Sequence, residues 1–291
     1  MRRVGIIVVM CLSSLGHAQV PLAVDEALKQ IYESYDSIKN TAILTCTGDQ
    51  AKNPSEWWPC YKEDSVASVE VLLSAVVTED ATKMYLVTSA IPAHDPMGFD
   101  CHSCQPVIGV AVFVYKSPQW LLESVDPVIG RFGAWGSPPT VELLTIGTEH
   151  HGILLTSEFG GQGYESGYKY LLAPVGKTVR EVWSLVDEQD NSGAYDPKGI
   201  DGPAIQYRSS AAVRFDCIFK DSCANGSGYF DIEVISRGRD EVRSNKGDNV
   251  VPTFRLQQEN WTDVYQFKDG EYKLARHQKF IETKAVPVRE H

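Results

Sequence analysis

Six side chains suited to metal or redox chemistry fall between positions 94 and 104: His94, Asp95, Asp100, Cys101, His102 and Cys104, set around a Pro96-Met97-Gly98 turn. Thiolates and imidazoles at such spacing can hold zinc tetrahedrally. A histidine and carboxylate site would use His94, Asp100 and His102, joined by His150 or His151 with Glu149 as general base, and would describe a metal-assisted hydrolase. The Cys101-x-x-Cys104 pair also admits a thiol oxidoreductase. That chemistry wants the first cysteine at a helix N-terminus, where the dipole lowers the thiol pKa, whereas here Gln105-Pro106 and a strand-like run follow. No second C-x-x-C or His-x-x-x-His half-site follows, so a structural disulfide is the favoured reading. Gln105 also stands where a c-type haem attachment needs histidine.

Other motifs fall short of completion. Gly176-Lys177-Thr178 resembles the end of a phosphate-binding loop, but Leu171 occupies the place of its first glycine. There is no G-x-S-x-G elbow and no H-E-x-x-H helix. An acidic loop from Asp187 to Asp196 matches part of a calcium-binding pattern, yet Gly199 stands where the bidentate glutamate belongs. Glu149-His150-His151 reads as a solvated polar turn. Asn225-Gly-Ser227 fits a glycosylation sequon. The sequence calls for no cofactor.

Aromatic residues offer a different function. Trp57-Trp58 precedes Pro59-Cys60, and the glycine-rich loops Ile129–Gly136 and Phe159–Tyr164 carry Phe132, Trp135, Gln162 and Tyr164. Adjacent Trp57 and Trp58 cannot both point inward from an extended chain. Exposed aromatic side chains on rigid loops are the usual anchors of a protein or glycan interface. Trp57, Trp58, Phe132, Trp135, Gln162 and Tyr164 are accordingly the candidate contact residues.

The elements that position these groups are mainly strands. Val24, Leu28, Ile31, Tyr35 and Ile38 recur at helical spacing, which predicts an amphipathic helix across Pro21 to Asn40. Beyond it, short runs rich in Val, Ile, Tyr and Phe alternate with Gly, Pro, Asn and Asp, the texture of an antiparallel sandwich or barrel-like domain. Expected strands are Ser68 to Val77, Lys83 to Ser89, Val107 to Tyr115, Trp120 to Val125, Thr140 to Ile146, Ile153 to Ser157, Tyr168 to Ala173, Ile205 to Phe215 and Tyr229 to Ser236. Asp269-Gly270 predicts a type I′ hairpin turn. Its register sets Lys268 against Glu271, Phe267 against Tyr272, Gln266 against Lys273 and Tyr265 against Leu274, with the aromatic side covering a core.

The N-terminus reads as a secretory signal: Arg2 and Arg3, an apolar run from Val4 to Leu15, then Gly16-His17-Ala18. That run is too short to span a bilayer, and no later segment is long and apolar enough. Met10 before Cys11 disfavours a lipoprotein signal. Residues 1–18 are therefore expected to be a signal peptide, 19–42 a helical segment and 43–291 one β domain, in a periplasmic or secreted protein. Loss of Cys11 leaves Cys46, Cys60, Cys101, Cys104, Cys217 and Cys223, an even set suited to an oxidising compartment. Proximity pairs them as Cys46 with Cys60, Cys101 with Cys104 and Cys217 with Cys223. A formal charge of −11 argues against nucleic acid and anionic membranes and permits a cationic partner. The leading expectation is an exported, non-catalytic binding protein of the inhibitor or immunity type, acting on a cationic envelope partner.

Overall fold

The computed structural model describes residues 21–45, 66–79, 81–94, 99–101, 103–194, 205–218, 228–244 and 253–286. These residues form a mainly β protein with antiparallel sheets and one short helix, α1 (Val24–Ile31). A five-stranded sheet runs in chain order through β1 (Thr41–Ile43), β2 (Val66–Thr78), β3 (Thr82–Pro92), β4 (Val107–Lys116) and β5 (Gln119–Arg131). An eight-stranded sheet follows in sequence order too. It comprises β6 (Thr140–Gly147), β7 (His150–Gly161), β8 (Tyr164–Val175), β9 (Thr178–Asp190), β10 (Ile205–Asp216), β11 (Asp231–Ser244), β12 (Thr253–Lys268) and β13 (Glu271–Val286). Among the described residues no helix is long and apolar enough to cross a membrane.

The helix is shorter than its periodicity predicts. It ends at Ile31, and Tyr32 turns to extended backbone with φ −122° and ψ 102°. The polar residues that follow bind backbone groups in a non-helical way, which is why such residues compete with helices. Ile43 N–H donates to Ser34 Oγ at 2.7 Å, and Asp36 Oδ1 accepts from Ile38 and Lys39 N–H at 2.9 and 3.2 Å. Asp36 also bridges to Thr41. Helical spacing at Tyr35 and Ile38 is thus coincidental: Tyr35 is buried, whereas Ile38 is 92% exposed.

The chain divides into two compact units. The first comprises Met1–Leu144, Gly152–Leu155 and Leu172–Glu181. In it β4 reads Val107-Ile-Gly-Val-Ala-Val-Phe-Val114, a continuous apolar run rather than an alternating one, and both faces of β3 and β4 are buried. Continuous runs of this kind mark strands covered on two sides. One face, with Met84, Leu86, Ala111 and Phe113, joins a core shared with Ala27, Leu28, Ile31 and Tyr32. Tyr85, Val87, Ile108, Val110 and Val112 of the other face are equally buried, as are Ile153, Leu155, Leu172 and Val179 of the same unit. Ser124 Oγ and Val125 N–H of β5 donate to the carbonyls of Gly176 and Lys177 in the β8–β9 turn, at 2.9 and 3.2 Å.

A bulge in β5 carries the polar node of this unit. Register slips so that Ile108 pairs with Gly130 while Val110 pairs with Asp126. Pro127 falls within the slip, at a place where its missing N–H costs no ladder bond. Its carbonyl accepts the Tyr32 hydroxyl at 3.3 Å, which also lies 2.8 Å from Thr88 Oγ1. Thr88 in turn donates to Gly109 O at 3.3 Å. Only glycine fits at position 109, because a β-carbon there would collide with the Tyr32 hydroxyl and lie 2.7 Å from Thr88 Oγ1 and 2.8 Å from Pro127 O. Asp126 Oδ1 closes the bulge by accepting Val128 N–H at 3.0 Å.

The second unit comprises Thr145–His151, Thr156–Leu171 and Val182–His291. Gly147 at the end of β6 bridges Tyr229 just before β11, and hydrogen bonds of 2.7 Å join Thr148 N–H to Gly228 O and Phe230 N–H to Ile146 O. The β12–β13 hairpin has the register its turn dictates, with Lys268 opposite Glu271, Phe267 opposite Tyr272 and Tyr265 opposite Leu274. Asp269 and Gly270 have φ of 55° and 85°, as a type I′ turn requires. Leu274 keeps its expected place opposite Tyr265 but is 54% exposed. The register shifts beside it, leaving Ala275 as an extra residue that bends β13 away. Strand β9, absent from the sequence reading, extends to Asp190 and absorbs the first residues of the expected acidic loop. Cross-strand charge holds it: Lys169 is ion-paired with Asp187, and Asp190 Oδ2 lies 3.4 Å from Arg208 Nε.

Tyr32 supplies a test of the β5 node. Its phenol pKa is pushed up to about 12, first by burial, with the Thr88 hydrogen bond opposing and Asp126 adding to the rise. An unfolded tyrosine ionises near pH ~10, so this stabilisation is complete below that pH and is lost as pH climbs toward the folded value. Tyr32→Phe should cost about 1–3 kcal/mol at neutral pH. Urea unfolding should then show wild type losing stability more steeply than Tyr32→Phe from about pH 10 upward. Parallel losses would show that Tyr32 is not buried as described.

Candidate functional site

Strand β5 leads into a segment whose backbone presents one tryptophan. Ala134 and Ser137 form an isolated bridge, with Ala134 N–H donating to Ser137 O at 3.1 Å and Ser137 N–H returning to Ala134 O at 2.9 Å. Trp135 and Gly136 occupy the two central places, with φ of 54° and 69°. That is type I′ geometry, which normally selects Asn-Gly or Asp-Gly. A bulky side chain in the left-handed region costs of order 1–3 kcal/mol, and such residues cluster at functional sites. Trp135 is 46% exposed, so apolar burial offsets only part of that cost.

The turn is braced by the segment that carries the cysteine pair. Cys101 and Cys104 are joined in a disulfide, with Cα atoms 4.9 Å apart, and Cys104 N–H donates to Cys101 O at 2.9 Å. From this compact loop, Cys104 O accepts Gly136 N–H at 2.7 Å. Gln105 Nε2 donates to Gly133 O at 3.1 Å, and Pro106 O accepts Phe132 N–H at 3.0 Å. Gly136 is required by this fit as well as by its positive φ, because a β-carbon there would strike the Phe99 carbonyl. The strap of Phe99, Cys104, Gln105 and Pro106 therefore braces the turn, and Trp135 stays 46% exposed. Phe132 is buried, with its ring where a β-carbon at Gly130 would stand.

The remaining candidates fall elsewhere. Gln162 and Tyr164 belong to the second unit, where Gln162 and Gly163, with φ of 53° and 81°, form the turn between β7 and β8. Ala194 N–H donates to Gly163 O at 3.0 Å, which packs the 191–194 turn on this hairpin, and Tyr164 beside it is 43% exposed. Trp57, Trp58, Cys46, Cys60, His102 and Cys223 lie outside the described residues. Cys217 is disulfide-bonded. His94 and Asp100 are both exposed. Among the described residues no group of three or more His, Cys, Asp or Glu side chains converges as metal ligands.

His150 and His151 are not the solvated turn their sequence suggested. They open β7, the turn itself being Thr148-Glu149. His150 stacks on Tyr229 with centroids 4.0 Å apart and planes 7° apart, and His151 is buried with Nε2 3.4 Å from Thr145 Oγ1. Sequence reasoning missed Tyr229 and Trp183, each of which joins a ring cluster in the second unit. Neither has a local signal, because their partners stand more than 30 positions away. No protein-family model matches the chain, and no curated protein or solved structure shows significant similarity to it.

The bracing is open to direct measurement. Replacing Cys101 and Cys104 with serine should lower stability by about 2 kcal/mol, the loop-entropy value for so short a ring. Amide exchange at Gly136, whose N–H is held by Cys104 O, should accelerate markedly, while exchange at Leu86 and Val112 in the sheet core changes only in step with global stability. Unchanged protection at Gly136 would show that the turn holds its shape without the strap.

Proposed function

We propose that this chain is an exported, non-catalytic binding protein that engages a cationic protein partner through Trp135. The observation that carries the reading is the conformation of Trp135 itself: an exposed indole held in left-handed backbone by a disulfide-closed strap. A side chain placed there for packing would be buried, and a residue placed there for the turn would be Asn, Asp or Gly. What the arrangement supplies is a pre-ordered aromatic anchor, whose ordering cost is met on folding rather than on binding. Tryptophan is among the residues most enriched at energetic centres of interfaces.

Charge supports a protein of opposite sign over a glycan. A chain with formal charge −11 attracts cationic surfaces and raises their association rate. Export is part of the same reading: residues 1–18 act as the signal peptide, the protein is periplasmic or secreted, and the oxidised Cys101–Cys104 pair suits that compartment. Burial of both faces of β3 and β4 supports a sandwich arrangement for the first unit.

The test uses immobilised full chain and envelope extract from cells that produce it. Trp135→Ala should lower retention of the specifically bound protein at least tenfold, a typical loss for an aromatic anchor. Raising salt toward about 0.5 M should weaken capture by screening. Trp135→Asn should lose binding in the same way while keeping or raising stability by about 1 kcal/mol, since asparagine tolerates the left-handed region. Undiminished retention by both variants would overturn the reading.

A further inference from the structure

We propose that the Cys101–Cys104 disulfide is a redox switch for the Trp135 turn: closed, it holds the indole in its binding conformation, and opened by a dithiol reductant it releases the turn and weakens partner binding. This rests on the reading of Trp135 as the contact residue and adds the regulation of that site. The disulfide ring is small, with three positions from one cysteine to the other. It nevertheless stands where two segments of chain meet. Cys104 supplies the carbonyl that accepts Gly136 N–H at 2.7 Å, and the two residues after it hold the same turn, Gln105 at Gly133 and Pro106 at Phe132. Before the pair in sequence, the Phe99 carbonyl lies where a β-carbon at 136 would strike it. Contacts on both sides of the disulfide thus close on one turn.

Relative magnitudes make this coupling matter. Trp135, with φ of 54°, is a bulky residue in left-handed backbone. Strain of that kind is of the same order as the stabilisation that a ring this short contributes. Opening the ring therefore removes a support comparable to what the turn costs, and the open form samples relaxed backbone at 135 that the closed form excludes. The coupling is reciprocal: whatever stability the closed pair contributes to the turn, the ordered turn contributes to the pair.

The pair is placed for thiol exchange as well as for bracing. Cys101 is exposed whereas Cys104 is half-buried, so an incoming thiolate meets the Cys101 sulfur. Attack there forms a mixed disulfide with Cys101 and expels Cys104 as a thiolate, which takes up a proton. The second thiol of the dithiol then closes the reductant's own disulfide and expels Cys101, which is protonated in turn. Two electrons pass from the dithiol to the protein pair, and the two protons that the dithiol releases match the two taken up. Ser103 Oγ lies 3.5 Å from Cys101 Sγ, within reach for its hydroxyl to donate to the departing thiolate.

Dithiothreitol is the probe, applied to the folded full chain, with alkylation and peptide mapping to report each cysteine. It should open Cys101–Cys104 and accelerate amide exchange at Gly136 about tenfold, while Leu86 and Val112 change only in step with global stability. Retention of the partner from envelope extract should fall about threefold to thirtyfold and return on reoxidation. Cys217 is also disulfide-bonded, so the double variant Cys101→Ser with Cys104→Ser supplies the control. It should match reduced wild type before dithiothreitol is added and show no response afterwards. A pair that stays closed, unchanged Gly136 exchange or unchanged retention once it is open, or a response that persists in the double variant would each overturn the switch. Retention by oxidised chain that Trp135→Ala leaves undiminished would instead overturn the reading of Trp135 as the anchor, so the two failures are distinct.

Discussion

Burial of the two central strands of the five-stranded sheet on both faces is the constraint from which the first unit follows. A polar group inside such a layer has no water to turn to and must find its partner within the protein. The β5 bulge breaks the ladder between Ile108 and Val110 and turns the Pro127 carbonyl toward the helix side. Tyr32 answers it, with Thr88 and Gly109 completing the set. The same slip decides where pairing resumes, at Gly130 and Arg131 against Ile108 and Val107. That register brings Pro106 beside Phe132, and with it the strap beside the Trp135 turn. The Tyr32 hydroxyl contact, one residue past the helix, and the placing of a turn a hundred positions later thus belong to the same slip in register.

Legibility in the sequence followed how locally each feature is determined. The β12–β13 register was readable because Asp269-Gly270 permits one turn type, and a turn type permits one register. The long apolar run of β4 was readable for a similar reason: eight apolar residues leave few alternatives. The end of α1 was not, since it depends on where the Tyr32 hydroxyl must go and on Ser34 and Asp36 binding the chain that returns at residues 38–43. Strand β9 was hidden by its acidic end, which reads as loop until Lys169 and Arg208 are placed beside it.

The cysteine pair shows the same limit in chemical terms. Spacing of three admits a metal half-site, a redox couple or a staple, because all three begin from two thiols held close. What separates them is the surroundings, and those come from residues some thirty positions away: Gly133, Gly136 and Phe132. Placed against that turn, the closed pair is a clamp whose outward carbonyl holds Gly136. The glycine-rich loop and the cysteine segment, separate in the sequence, are one structure.

Local rules are kept through most of this chain and broken at a few places. Trp135 takes a backbone conformation that costs free energy and is not recovered by full burial. A sequence free to optimise stability alone would remove it by a single substitution, asparagine at 135. That substitution would disturb no ladder bond, since it changes only a side chain. Departures that are costly, isolated and simple to repair are where function is expected to oppose stability. The surrounding scaffold, with its two-sided strands, satisfied bulge and type I′ hairpins, is what makes such departures tolerable.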